Sequence, residues 1–376
     1  MSLGLYIHVP FCVSRCEYCA FATWSDRFEF LDEYVEGLVG EISCRRVLLG
    51  DRDFDTVFLG GGTPSLLSHA QLERILTPVI GSGTIEVTLE ANPESLAGDP
   101  RSYLDLGVTR VSLGVQSLRD SDLKLLGRDH SASVARDAID RLRSSSLSFS
   151  TDFMFGVRGS RSWEMLADIS ELAANPNPPE HISVYGLTIE PGTPLAGKPW
   201  LFPNEDDAAT TYLEVSKLCG ELGWESYEIS NFAREGRISR HNWNYWVQGE
   251  YLGVGPSAHS YLGGVRSWNI RDSYRWGHAI AAGRDTVAGS ESLKEADHIF
   301  EGLSLALRTR LGVPASAVDL AAIPEDLYEL TPDGRFVLNA KGRLVQGAIA
   351  LLLVPEAISR SELEALQAIN LFDAAR

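Results

Sequence analysis

Six short runs of apolar and β-branched residues recur along the chain, at 5–9, 56–60, 85–90, 110–114, 150–155 and 182–187. Between and after them, apolar positions return every three or four residues, most clearly at 31–48, 71–79, 133–144, 163–174 and 207–222. The runs read as strands and the longer stretches as amphipathic helices. Their alternation predicts βαβ units joined by right-handed crossovers, and so a parallel sheet. The expected fold class is α/β, a partial (β/α)6 barrel, with a flat doubly wound sheet as the alternative topology. After about residue 285 the texture changes. A helical pattern spans 292–310, Gly312-Val313-Pro314 breaks it, and Lys341-Gly342-Arg343-Leu344-Val345 resembles a hairpin turn into a strand. Two domains are expected: a barrel over 1–285 and a small, mostly helical C-terminal domain over 286–376.

Composition narrows the class. Hydrophobic residues fill 44% of 376 positions, enough for a buried core. The most apolar stretch, 348–354, is far short of the roughly 20 residues of a spanning helix, so no transmembrane segment is expected. Residues 1–7 lack a basic n-region and lead straight into a strand-like pattern, which predicts no signal or transit peptide and a cytoplasmic location. With 33 basic against 51 acidic residues the formal charge is −18, which argues against a nucleic-acid partner. Five cysteines, an odd number in a long chain, do not suit a disulfide-stapled secreted fold. Three of them crowd into eight positions, which points to metal or catalysis in a reducing compartment.

Those three are Cys12, Cys16 and Cys19, spaced C-x3-C-x2-C just after the first predicted strand. Three thiolates on one loop can bind three irons of a [4Fe–4S] cubane and leave the fourth open. An open iron can chelate the amino and carboxylate groups of S-adenosylmethionine (SAM), and an electron passed to the sulfonium then yields a 5′-deoxyadenosyl radical. A cysteine face on an apolar helix is the bland alternative, but Pro10, Ser14, Arg15 and Glu17 suit a loop better. Structural zinc is the other. It wants four ligands, no fourth cysteine lies nearby, and His8 points along a strand.

At these residues the chain resembles the radical SAM superfamily. Further motifs resemble its narrower group of oxygen-independent coproporphyrinogen III oxidases and HemW heme chaperones: Tyr6-Ile7-His8-Val9-Pro10-Phe11-Cys12, Gly60-Gly61-Gly62-Thr63-Pro64-Ser65, Glu90-Ala91-Asn92-Pro93, Gly114-Val115-Gln116-Ser117, Leu126-Gly127-Arg128-Asp129-His130 and Asp152-Phe153-Met154-Phe155-Gly156. Physically, the glycine run lets backbone approach a ligand closely. Glu90, Gln116 and Asp152 are expected at or just beyond the C-terminal ends of strands, the rim where barrel sites form. Helix caps and rim salt bridges are the alternative roles for each. Arg128 could pair with a carboxylate, or be a surface arginine. The resemblance implies SAM contacts from Tyr6, Tyr18, Gly61, Gly62, Thr63, Glu90, Gln116, Arg128, Asp152 and Gly186. It also implies that the C-terminal piece is the small domain such proteins carry after a barrel whose extension faces heme or substrate.

Within the group, the oxidase has a further cysteine two positions beyond the third ligand, where this chain has Phe21; the chaperones have phenylalanine. Arg240-His241-Asn242-Trp243-Asn244-Tyr245-Trp246 resembles the chaperones' H-N-x-x-Y-W segment, which implies heme contacts from His241, Tyr245 and Trp246. A core-packed aromatic loop around one hydrogen-bonded histidine is the other reading of that segment. His69, His181, His278 and His298 are expected to be surface or satisfied residues, His259 to face the barrel opening, and Cys44 and Cys219 to be core residues. The resemblance therefore implies a heme chaperone that binds a [4Fe–4S] cluster and SAM and transfers heme to an acceptor protein, with an electron donor as a further partner. The alternatives are radical oxidative decarboxylation of coproporphyrinogen III and radical chemistry on another substrate. No catalytic residue is assigned.

Overall fold

The first apolar run forms β1 (Leu3–Val9), whose Leu3, Leu5, Ile7 and Val9 are at most 1% exposed. A strand buried on both faces belongs in the middle of a sheet, and β1 sits there. In the computed structural model, which describes residues 2–96, 98–159, 161–202 and 204–369, the other five predicted runs form β2 (Thr56–Gly61), β3 (Glu86–Ala91), β4 (Arg110–Gln116), β5 (Ser148–Phe155) and β6 (His181–Gly186). These six strands pair in chain order, all parallel. Tyr6, Phe58, Glu90, Ser112, Asp152 and Tyr185, one from each strand, line a single cavity. The sheet therefore curls around its inner face, as a partial barrel does and a flat sheet does not.

Six further strands extend this sheet: β7 (Glu225–Ser226), β8 (Asn231–Ala233), β9 (Glu250–Val254), β10 (His259–Leu262), β11 (Val265–Asn269) and β12 (Val287–Ser292). The full order is β12-β11-β10-β9-β1-β2-β3-β4-β5-β6-β8-β7. β9 is parallel to β1, and β10 to β12 follow it antiparallel. The apolar pattern does not predict these strands, for physical reasons. β7 and β8 have two and three residues, and β12 reads Val-Ala-Gly-Ser-Glu-Ser on an exposed edge with no buried face to impose alternation.

A second buried cluster, including Leu303, Leu307, Phe336, Leu338 and Leu363, gathers around the helix Glu295–Leu307. It also includes a small antiparallel sheet of β13 (Val313–Pro314), β14 (Tyr328–Leu330) and β15 (Arg335–Leu338). Residues 370–376 of the expected C-terminal domain lie outside the described residues. One prediction there is corrected. The stretch 341–345 is not a hairpin turn but the end of a short helix, Ala340–Leu344, because the Asn339 side chain accepts from the backbone N–H of Lys341 and Gly342 and caps it.

The crossover helix Leu31–Arg46 buries Tyr34, Val35, Leu38 and Ile42, and with them a carboxylate, Glu41. Glu41 accepts from the Gly255 N–H (2.8 Å), Trp276 Nε1 (3.1 Å), Asn269 Nδ2 (2.7 Å) and Thr286 Oγ1 (2.6 Å), and faces Arg45 at 3.6 Å. One side chain thus ties the helix to the end of β9, to β11 and to the helix Ser273–Ala281. Removing one member of such a network strands the rest. Glu41→Ala is expected to lower unfolding free energy by about 3–5 kcal/mol, read by chemical denaturation, with Glu41→Gln losing less because its amide oxygen still accepts.

Candidate functional site

The cysteine loop leaves the C-terminal end of β1 and is closed at its base by Cys12 N–H to Trp24 O (2.8 Å) and Trp24 N–H to Pro10 O (2.6 Å). Arg15 Nη2 donates to Cys19 O at 3.0 Å, and the Glu17 N–H to Leu126 O at 3.1 Å, so the loop is fastened within itself and to the rim. All three thiols are free and half-buried. Thr63 Oγ1 donates to Cys12 Sγ at 3.7 Å, and Arg128 Nη1 to Cys16 Sγ at 3.4 Å. Burial pushes the Cys12 thiol up to about 11 against the Thr63 hydrogen bond, and burial also raises Cys19. Such thiols stay protonated until a metal replaces the proton. Among the described residues no three His, Cys, Asp or Glu side chains converge as a single-ion site requires. Thiolates that each bind a different iron need no such convergence. Three free thiols on one loop, all lining one cavity, are the donor set such a cluster takes.

The loop caps a cavity of about 480 Å³ that runs into the barrel. All three cysteines line it, with Tyr6, Tyr18, Gly61, Gly62, Thr63, Glu90, Gln116, Arg128 and Asp152. Gly186 does not; it lies on the exposed end of β6, where a Cβ would meet Phe155 at 3.1 Å. Gly61 has φ 107° and its N–H donates to Glu90 Oε2 at 3.0 Å. Any larger residue there would be strained and would collide with the His8 ring, 2.4 Å from its Cβ. Gln116 closes β4 at φ 64°, unusual for a residue with a Cβ, where the pairing of β4 with β5 shifts register. Asp152 stands in mid-strand rather than at the rim as expected, accepting from Ser112 Oγ at 3.1 Å.

Charge is concentrated at depth. Burial pushes Glu90 up to about 7, with the Gly61 N–H opposing and Asp152 adding to the rise. Burial also raises Asp152. Arg128 is no surface arginine: its Nη2 donates to Asn92 Oδ1 (2.5 Å) and Gly114 O (3.0 Å), while its buried Nε has no partner. An unsatisfied N–H of a buried cation beside two carboxyls is a setting for a ligand carrying both carboxylate and ammonium groups. Sequence reading missed Asn92, which also donates to Thr63 Oγ1 at 3.0 Å, although its motif was in view. Ser112 and Tyr185 gave no signal as single residues on strands.

The segment expected to contact heme lies at the floor of the same cavity. His241 is 1% exposed and lies at the opposite, N-terminal end of the strands. Its Nδ1 is bonded to Thr56 Oγ1 (2.8 Å) and its Nε2 to the Tyr245 hydroxyl (2.8 Å), and its ring stacks on Phe58. Its backbone N–H donates to Glu86 Oε1 at 3.0 Å. Thr56 and Glu86 are the first residues of β2 and β3, so the segment, a short helix Arg240–Trp246, plugs the barrel floor. Burial, aided by Arg110, pushes the imidazole down to about 3. His241 is thus a satisfied core histidine with no free nitrogen. His241 and Tyr245 line the cavity from below, and Trp246 lies outside it under the Arg308 guanidinium. Of the other cysteines Cys219 is buried, but Cys44 is exposed, because it falls off the helix face that carries Leu38 and Ile42. His69, His181 and His298 each hold one hydrogen bond within the chain, and the exposed His278 packs edge-on to Tyr274.

A parallel partial barrel with three free cysteines on the loop after its first strand defines a radical SAM protein, and the Radical SAM superfamily model matches residues 6–172. The structure resembles coproporphyrinogen III oxidase (HemN) from Escherichia coli, with TM-score 0.79, 22% identity, and coverage of 93% of this chain and 89% of that one. Sequence similarity is stronger to another branch. The chain is 33% identical to the heme chaperone HemW of Mycobacterium tuberculosis over 93% of its length and 94% of that protein's. It is 37% identical to HemW of Escherichia coli over 68% and 69%. It is 34% identical to the mouse "Radical S-adenosyl methionine domain-containing protein 1, mitochondrial" over 90% and 83%. The chain belongs to the HemW heme chaperone family.

Glu90 supplies a test of the site's electrostatics. A carboxyl whose pKa is raised on folding holds its proton longer in the folded state, so stability falls as pH climbs from the unfolded value, near 4.5, to about 7. The loss across that window is expected to be about 3 kcal/mol. Glu90→Gln should abolish it, so the difference between wild type and variant, followed by denaturation at successive pH values, should grow over that window and level off above it.

Proposed function

We propose that this chain is a heme chaperone that holds a [4Fe–4S] cluster through Cys12, Cys16 and Cys19, binds SAM beside it, and passes heme to an acceptor protein. When bound, such a cluster supplies an electron and one open coordination site. Around that place, Thr63 and Arg128 offer donors to cysteine sulfur, and the Arg128 Nε–H is free for a carboxylate. Glu90 and Asp152 offer acceptors for ammonium or hydroxyl groups, with the Gly61 N–H holding Glu90 in place. Tyr6, Tyr18, Gly62, Thr63 and Gln116 complete the walls. In the same reading the chain divides near residue 285 into barrel and C-terminal unit and works in the cytoplasm with an electron donor. Among the described residues no helix is long and apolar enough to cross a membrane.

The observation that carries the choice against the oxidase is Phe21. It stands two positions beyond Cys19, is 65% exposed, and faces the cavity under the cysteine loop. A phenyl ring there can neither donate hydrogen nor ligate, whereas it can pack on a flat apolar ligand. After anaerobic reconstitution the protein is expected to bind and transfer heme and to leave coproporphyrinogen III unchanged; decarboxylation at an enzyme-like rate would reverse the assignment.

Two further outcomes follow from the same geometry. Cys12→Ala, Cys16→Ala and Cys19→Ala should each lose the cluster, seen as loss of bound iron, sulfide and visible absorbance. Asp152→Asn should keep the cluster and weaken SAM binding by about tenfold, equivalent to about 1.4 kcal/mol, measured by calorimetry.

A further inference from the structure

Beside the cysteine loop, outside the barrel, lies a second cavity of about 610 Å³. Its size is within the roughly 300–1,000 Å³ usual for sites that enclose a small organic ligand. It shares Tyr6, Phe21 and Tyr245 with the barrel cavity, so the two adjoin at those rings. Its outer wall comes from the strands that the apolar pattern did not predict, with His259 opening β10 and facing Trp268 across the ladder at 6.2 Å between ring centroids. Tyr251, Tyr261 and Trp246 add flat apolar surface.

The histidines of the chain differ sharply in what their nitrogens already do. His8 and His130, like His241, hold hydrogen bonds at both. His259 is exposed, and among the described residues no hydrogen bond engages its ring. Partial burial and the nearby Arg266 hold its pKa below the ordinary value. The cations of the cavity differ as well. Arg266 is neutralised by Glu291 (2.8 Å) and Glu301 (2.5 Å). Arg271 has no carboxylate partner among the described residues and donates only to Ala20 O, at 3.4 Å, next to Cys19. An imidazole with open nitrogens, a guanidinium without a carboxylate partner and a set of aromatic faces together match a metal-bearing, flat macrocycle that carries carboxylates.

Resting on the heme-chaperone reading, we propose that heme binds in this outer cavity with His259 as the ligand to iron and Arg271 pairing with a propionate, rather than at His241. The macrocycle then lies against Phe21 and the cysteine loop, which makes that loop one wall of the heme site. The exposed His259 and Arg271 can be changed without opening the core.

The test titrates the full-length, anaerobically reconstituted protein with hemin and with hemin dimethyl ester, following the Soret band and the electron paramagnetic resonance spectrum. Wild type is expected to give an imidazole-ligated spectrum. His259→Ala should weaken hemin binding by at least about tenfold and lose that signature, with added free imidazole restoring it. Arg271→Ala should weaken hemin several-fold and leave the dimethyl ester unaffected. An unchanged spectrum and affinity in His259→Ala would overturn the assignment while leaving heme binding itself intact. Failure of wild type to bind hemin at all would instead overturn the heme-chaperone reading, and this inference with it.

Discussion

The C-terminal end of β1 is squeezed between two backbones that could not carry side chains there. On one side Gly61 approaches the His8 ring, and on the other Gly255 approaches the His8 carbonyl oxygen, 2.6 Å from where a Cβ would stand. Both have positive φ, 107° and 92°. This crowding lets neighbouring parallel strands end in tight turns while the chain of β1 passes between them and opens into the cysteine loop. His8 is itself bonded to the loop through Ala22 O at 2.9 Å, so the packed strand end holds the far side of the loop as well as its start. Three thiols on a loop would otherwise have no fixed relation to the barrel. The backbone of β1 fixes their position, and the glycines beside it make that position possible.

From the same strand end, buried polar contacts reach outward. Glu41 accepts from the Gly255 N–H, so the carboxylate that stabilises the Gly255 turn is also the one bonded to Asn269 and Trp276. The antiparallel strands beyond β9 join the main core through few buried side chains, Trp276 on the helix after β11 the largest of them. Beside that packing, their place is set by hydrogen bonds that are strengthened by being buried and mutually satisfied. This is how a sheet of parallel strands acquires an extra wall next to its opening. The barrel cavity is enclosed by six strands in chain order, whereas the outer cavity exists because Glu41 anchors a later segment against the first helix.

Much of this was legible in the sequence where burial imposes a pattern. The six strands of the barrel announce themselves because they are covered on both faces, and the cysteine spacing announces the loop because ligand chemistry constrains it. Nine of ten residues expected at the SAM site share one cavity with the cysteines. The failures have a common physical cause. β12 is exposed and its residues need not alternate; Gln116 is held at positive φ by a shift of register no local pattern encodes. Cys44 was assigned to the core by residue type, when helix phase puts it on the outside. The helix at Ala340–Leu344 was hidden by a glycine and a lysine, and decided by the Asn339 cap.

The histidines show the same limit at the level of chemistry. A histidine among aromatic residues reads identically whether those rings face a ligand or one another, and only the direction of the barrel separates the cases. His241 is held to the first residues of β2 and β3, at the end where side chains serve stability, and its two nitrogens are spent on Thr56 and Tyr245. His259 stands at the opening, on a strand that the apolar pattern missed, and among the described residues no hydrogen bond engages its ring. Reaching iron from His241 would require breaking two buried hydrogen bonds and unstacking from Phe58, leaving polar atoms without partners in the barrel floor. From His259 it requires no such loss. That difference in what must be given up is the physical reason to place heme chemistry on the face of the protein where the cysteine loop, Phe21 and the Arg271 guanidinium already meet.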